Sequence, residues 1–183
     1  MEVAGRVGDD PEGDALLFAL SKASVGHAAV IRDPARHTPI ASPPVPADDD
    51  VSPLASVAVA PTVPGLRLDG ADVTLALRYL DPAGVLVVTD DLASDALAAA
   101  VEGGEFAGLR LVLLVDNGAV PTAALPADAT ILAVPERGED DGTGAFELLV
   151  GAFAAALDAG ATPKEAFAAA SAGAAWEPVA DEG

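Results

Sequence analysis

Three short runs constrain this chain more than any other feature: residues 84–89, 109–115 and 130–134 are apolar at almost every position. A strand with one solvated face alternates apolar and polar residues. A run that is apolar throughout, and rich in valine and leucine, must be covered on both faces. Helical patterns separate and follow these runs. Residues 93–101 read as an Ala-rich helix ended by Gly103-Gly104, and residues 144–159 and 163–175 as two closing helices. The last opens on Thr162-Pro163-Lys164-Glu165, a capping box with proline inside it. Buried strands alternating with helices predict an α/β fold, a layered and mostly parallel sheet with helices on both faces.

The chain before these runs divides into two stretches. Residues 2–7 read as a short strand, and Gly8-Asp9-Asp10-Pro11 as a turn with Asp10 at the helix cap and Pro11 at the first helical position. Leu16, Leu17 and Leu20 recur at helical spacing, Gly26 is the expected helix stop, and residues 27–31 read as a second strand. Residues 39–64 are different. Seven prolines and the run Asp48-Asp49-Asp50 predict an extended loop or linker, with residues 54–60 as one strand within it. Residues 69–80 then read as a helix with Val73, Leu77 and Leu80 on one side. At 183 residues, the expectation is a single domain spanning 1–183.

Composition narrows the function classes. With 51% hydrophobic residues the chain has material for a core, which excludes disorder over its whole length. With 29 acidic against 9 basic residues the net charge is −20. Such a surface does not capture nucleic acid or anionic membrane, which need basic patches. Adaptation to high salt and a general Ala- and Asp-rich composition both account for the charge. There is no cysteine, hence no disulfide, thiolate metal site or cysteine nucleophile, and only two histidines. Residues 1–6 lack the basic and apolar regions of a secretory leader, and the apolar stretch at 148–157 is too short to span a bilayer. These features read as a cytoplasmic protein.

In open α/β sheets, ligands bind beyond the carboxyl ends of the strands. Asp90 and Asp116 fall there, and paired carboxylates can hold Mg²⁺; equally, a chain with 29 acids must expose many of them. Gly142-Thr143-Gly144-Ala145 lies just before a helix, where bare amides can face an anion, although no Walker lysine follows. His27 begins an apolar run and reads as structural, and Ser21, Ser24 and Ser171 lack the setting of a nucleophile elbow.

Several of these pieces together resemble the ribokinase-like (PfkB) carbohydrate kinases. Val7-Gly8-Asp9-Asp10-Pro11-Glu12-Gly13 is similar to that family's Val-Gly-x-Asp-x-x-Gly turn. Residues 125–132 leading into Pro135 resemble the strand before its Asn-x-x-Glu motif, read here as Glu136-x-x-Glu139. Asp141-Gly142-Thr143-Gly144-Ala145-Phe146-Glu147 resembles its signature Asp-Thr-x-Gly-Ala-Gly-Asp. The resemblance implies ATP and Mg²⁺ as cofactors of a working site. Gly142, Thr143, Gly144 and Ala145 would form the anion hole, Glu139 would organise the metal, and Glu147 would stand at the general-base position. It also exposes departures. Phe146 and Glu147 replace a glycine and an aspartate, the chain starts almost at the first turn, and little separates the last two motifs. The expectation is therefore a truncated ribokinase-like fold with impaired catalysis that binds a small molecule or self-associates as a homo-oligomer, with sheet edges covered by the proline-rich stretch or a second subunit. An active sugar or nucleoside kinase and a purely structural domain are the alternatives.

Overall fold

The computed structural model describes residues 1–39, 66–80, 84–89, 92–116, 124–134 and 144–174. The chain forms two compact units, residues 1–68 and 69–183. Both are built from parallel strands and helices, the α/β class expected from the sequence. The loop expected over 39–64 and the strand within it lie, Pro39 apart, outside the described residues.

In the first unit, β1 (Glu2–Gly8) runs parallel to β2 (Gly26–Asp33), with α1 (Pro11–Lys22) between them in the chain. The register brings the carboxyl ends Gly8 and Asp33 side by side. Asp10 caps α1 and Pro11 sits in its first turn, as expected. The end of α1 differs from expectation. The helix stops at Lys22, Ser24 takes the left-handed backbone (φ 58°), and Val25 N donates back to the Leu20 carbonyl. Gly26 is thus the first residue of β2 rather than the helix stop. The apolar stripe of α1 is only partly used: Leu17 and Leu20 are half-buried, while Leu16 and Phe18 are exposed.

In the second unit, β3 (Val85–Thr89), β4 (Arg110–Asp116) and β5 (Thr130–Val134) form a parallel sheet in that order. Helix α2 (Gly70–Ala76) precedes the sheet, α3 (Ser94–Ala107) joins β3 to β4, and α4 (Ala145–Asp158) and α5 (Pro163–Ala174) follow. Strand alternation divides the side chains between two layers. Val112 and Leu132 point into a buried cluster with Leu149, Phe153 and Leu157 of α4 and Ala166 and Ala170 of α5. Phe153 meets Phe167 edge-on at 6.5 Å between ring centroids. On the opposite face, Leu86 contacts Gly104 of α3, whose buried side also carries Ala96, Leu97, Ala100 and Val101. Covering both faces is what permits Leu111, Val112 and Leu113 to be buried in succession.

Two helix boundaries depart from the sequence reading. Gly103-Gly104 does not end α3; the helix continues to Ala107 and closes at Gly108 in the left-handed region (φ 70°). The glycine pair serves close packing instead. A Cβ on Gly103 would collide with Leu77, and one on Gly104 would stand 3.3 Å from Leu86. Helix α2, expected over 69–80, ends at Ala76 and gives way to tight turns, in which Arg78 N donates to Leu75 and Tyr79 N to Ala76. No helix among the described residues is long and apolar enough to cross a membrane.

Candidate functional site

The turn before α4 is the first place the sequence singles out. Gly144 is the cap residue of α4 and adopts the left-handed backbone (φ 66°), a conformation glycine takes without steric cost. Ala145 begins the helix, and the Gly144 carbonyl accepts from Leu148 N. Phe146 is directed inward and buried, on the same side as Leu149, Phe153 and Leu157. Glu147 lies on the exposed side of the first turn. Its carboxylate leans back over the turn, with Oε2 3.8 Å from where a Cβ on Gly144 would stand. That is a favourable place for an acid, since the helix dipole is positive there. Glu139, Gly142 and Thr143 lie outside the described residues.

Asp90 also lies outside the described residues, and Asp116 closes β4 opposite Val134. Among the described residues no group of three or more His, Asp or Glu is arranged to hold a metal ion. The half-buried His27 keeps its Nδ1 3.1 Å from the Val25 carbonyl and its Nε2 3.4 Å from Ser21 Oγ. Both contacts are local and tie the α1–β2 connection together, in line with a structural histidine.

The turn between β1 and α1 holds the densest polar network on the described residues. Asp10 Oδ1 accepts from Gly13 N at 2.8 Å, the cap bond of the helix, and from Thr38 Oγ1 at 2.7 Å. Asp10 Oδ2 accepts from Thr38 N at 2.7 Å, with His37 Nδ1 3.4 Å away. Thr38 Oγ1 in turn accepts from Gly8 N at 2.9 Å. These donors, led by the Thr38 amide, hold the Asp10 carboxyl well below the usual range, at about 2. Around it Arg32 pairs with Asp9 at 3.1 Å and with Asp14, while Arg6 and Arg36 face Asp33 at 3.6 and 3.5 Å. The cap at Asp10 is legible in the sequence; Thr38 is not, because it lies 28 residues away and belongs to no local motif. The close approach of chain segments explains both glycines of this turn. A Cβ on Gly8 would stand 2.6 Å from Arg36 O and from Thr38 N, and one on Gly13 would collide with the Gly8 carbonyl.

The sequence was compared with protein-family models and with curated proteins, and it matches none of them.

Proposed function

We propose that this chain is a ribokinase-like (PfkB) carbohydrate kinase homologue whose phosphoryl-transfer centre is impaired, a cytoplasmic pseudoenzyme that works by binding a small molecule or by self-association. The observation that carries the reading is the first turn of α4. The family's signature needs a small residue where the backbone approaches the moving phosphoryl group, and this chain has the buried Phe146. The signature needs an aspartate as general base, and this chain has the exposed Glu147, one methylene longer and turned toward the helix end. Phosphoryl transfer depends on positioning and charge stabilisation almost alone. A misplacement of roughly 1 Å can cost on the order of 100-fold in rate.

Other observations support the family reading. The Val-Gly-x-Asp-x-x-Gly resemblance falls on the β1–α1 turn, with Asp10 capping the helix and both glycines in close contact with neighbouring chain. The strand and helices expected after it follow in order.

A second reading, an active ATP-dependent sugar or nucleoside kinase with Glu147 as base and Glu139 organising Mg²⁺, is favoured by one observation. Gly144 has the left-handed turn into a helix that phosphate-cradling loops use. An ATP-consumption assay over a panel of sugars and nucleosides separates the two. The impaired centre predicts no turnover above background. Turnover that is abolished by Glu147→Gln would establish the active kinase instead.

A further inference from the structure

We propose that residues 34–38 form a strap, locked by the Asp10 carboxylate across the carboxyl ends of β1 and β2, that opens and closes as one unit while α1 stays folded. The proposal concerns the first unit alone and does not depend on the reading of the α4 turn.

The strap leaves β2 at Asp33 and turns at once. Ala35 N donates to Asp33 Oδ1 at 2.9 Å, Arg36 N to the Asp33 carbonyl at 3.4 Å, and the Arg36 guanidinium faces Asp33 Oδ2. It then crosses to the β1 end, where Thr38 gives its amide and hydroxyl to Asp10 and accepts from Gly8 N. One carboxylate thus holds three pieces of chain together: the strand end through Thr38 Oγ1, the helix through Gly13 N, and the strap through Thr38.

Among the described residues, what secures the strap is polar. Pro34, Ala35, Arg36 and His37 are exposed, and His37 is 95% exposed at its side chain; Thr38 alone is half-buried. A segment with little buried apolar surface and solvent-accessible hydrogen bonds belongs to the low-stability end of a fold and opens locally. Helix α1 has its own intrahelical ladder and keeps the Asp10–Gly13 bond when Thr38 departs. The lock and the helix cap therefore share a residue but are separable. Gly8 completes the device, because any side chain there would meet Arg36 and Thr38 of the closed strap.

The place covered is the carboxyl end of two parallel strands at a helix start, the position at which α/β sheets receive ligands. Opening the strap uncovers it.

The test is amide hydrogen exchange by NMR on the full chain. In the unaltered protein, the Gly8 and Thr38 amides should exchange together, through an opening that depends weakly on denaturant, and faster than the interior amides of α1. Thr38→Val removes the hydroxyl that Gly8 N donates to and that Asp10 accepts. Exchange at residues 8 and 38 should rise about tenfold or more, with the α1 interior changed less than twofold. Thr38→Ser keeps the hydroxyl and should restore protection. The proposal is overturned if residues 8 and 38 keep their protection in Thr38→Val. It is equally overturned if, in the unaltered protein, they exchange only with α1 and β2 in one global unfolding.

Discussion

The two units contain the same parts, parallel strands joined by helices, but are held together in different ways. Among the described residues the first unit buries only Val7, Ala29 and Leu68 as apolar side chains, and three hydrogen bonds converge on the Asp10 carboxylate. The second unit closes two apolar layers over one sheet, and its largest fully buried side chains are Phe153, Leu113 and Leu149. Its polar contacts do a different job, tying off ends. Arg110 donates to the Leu157 and Ala161 carbonyls at the end of α4, and Gly84 N donates to Asp158. Each unit is therefore vulnerable in a different way. Apolar burial resists pH and local change but fails when volume is lost; a polar lock tolerates little chemical change at its centre and yields locally.

The largest expected effect lies in the apolar layer. Phe153→Ala removes a ring that touches Phe167 and the α4–α5 cluster, and truncating such a buried aromatic costs about 3–5 kcal/mol. Chemical denaturation of the second unit should show that loss; a cost under about 1 kcal/mol would mean that packing does not hold this unit. Next comes Gly103→Ala. In an exposed helix interior this exchange stabilises, but here the new methyl meets Leu77 Cδ1, the end of a half-buried side chain that has to turn aside, so the gain should be cancelled and a net cost of up to about 1 kcal/mol is expected. A rise in thermal midpoint would show that Gly103 is not a packing glycine. Thr162→Ala removes the hydroxyl of the α5 capping box, which donates to Glu165 Oε2 at 2.7 Å and accepts from Glu165 N at 3.4 Å, and should cost about 1 kcal/mol by the same denaturation experiment.

The smallest effect is the most selective for the first unit. Asp10 has its carboxyl pKa depressed on folding, so the lock's contribution is complete above about pH 4 and is lost as pH falls through about 2. The charged and titratable neighbours are His37 beside Asp10, and Arg6, Asp9, Asp14, Arg32, Asp33 and Arg36 around the turn. Carbon-13 titration of the Asp10 carboxyl should give a midpoint near 2, with protection at Gly8 and Thr38 falling over the same interval. An Asp10 midpoint near the ordinary carboxylate value of about 4 would break the contrast between the units.

How far the sequence foretells the structure follows the same division. The strands of the second unit are legible because burial on both faces leaves continuous apolar runs, and Thr130–Val134 is found with the expected bounds. Helix starts are legible where caps are local: Asp10-Pro11 and Thr162-Pro163-Lys164-Glu165 both act as their spacing predicts. What escapes is set by distant partners. Gly103-Gly104 carries the local signature of a helix stop, and only Leu77 and Leu86 turn it into a packing surface. Thr38 looks like any loop threonine until the fold brings Asp10 to it. At the α4 turn, the buried side of Phe146 and the exposed side of Glu147 follow from helical periodicity, so that part of the candidate site is legible from residues 146–157 alone.

The proposed function turns on whether the α4 turn can serve phosphoryl transfer. Isothermal calorimetry with Mg·ATP on the full chain tests it most directly. If the proposed impairment holds, with Phe146 buried where the resembled signature has glycine, no binding heat is expected at millimolar nucleotide; saturable binding in the micromolar range would overturn the proposal.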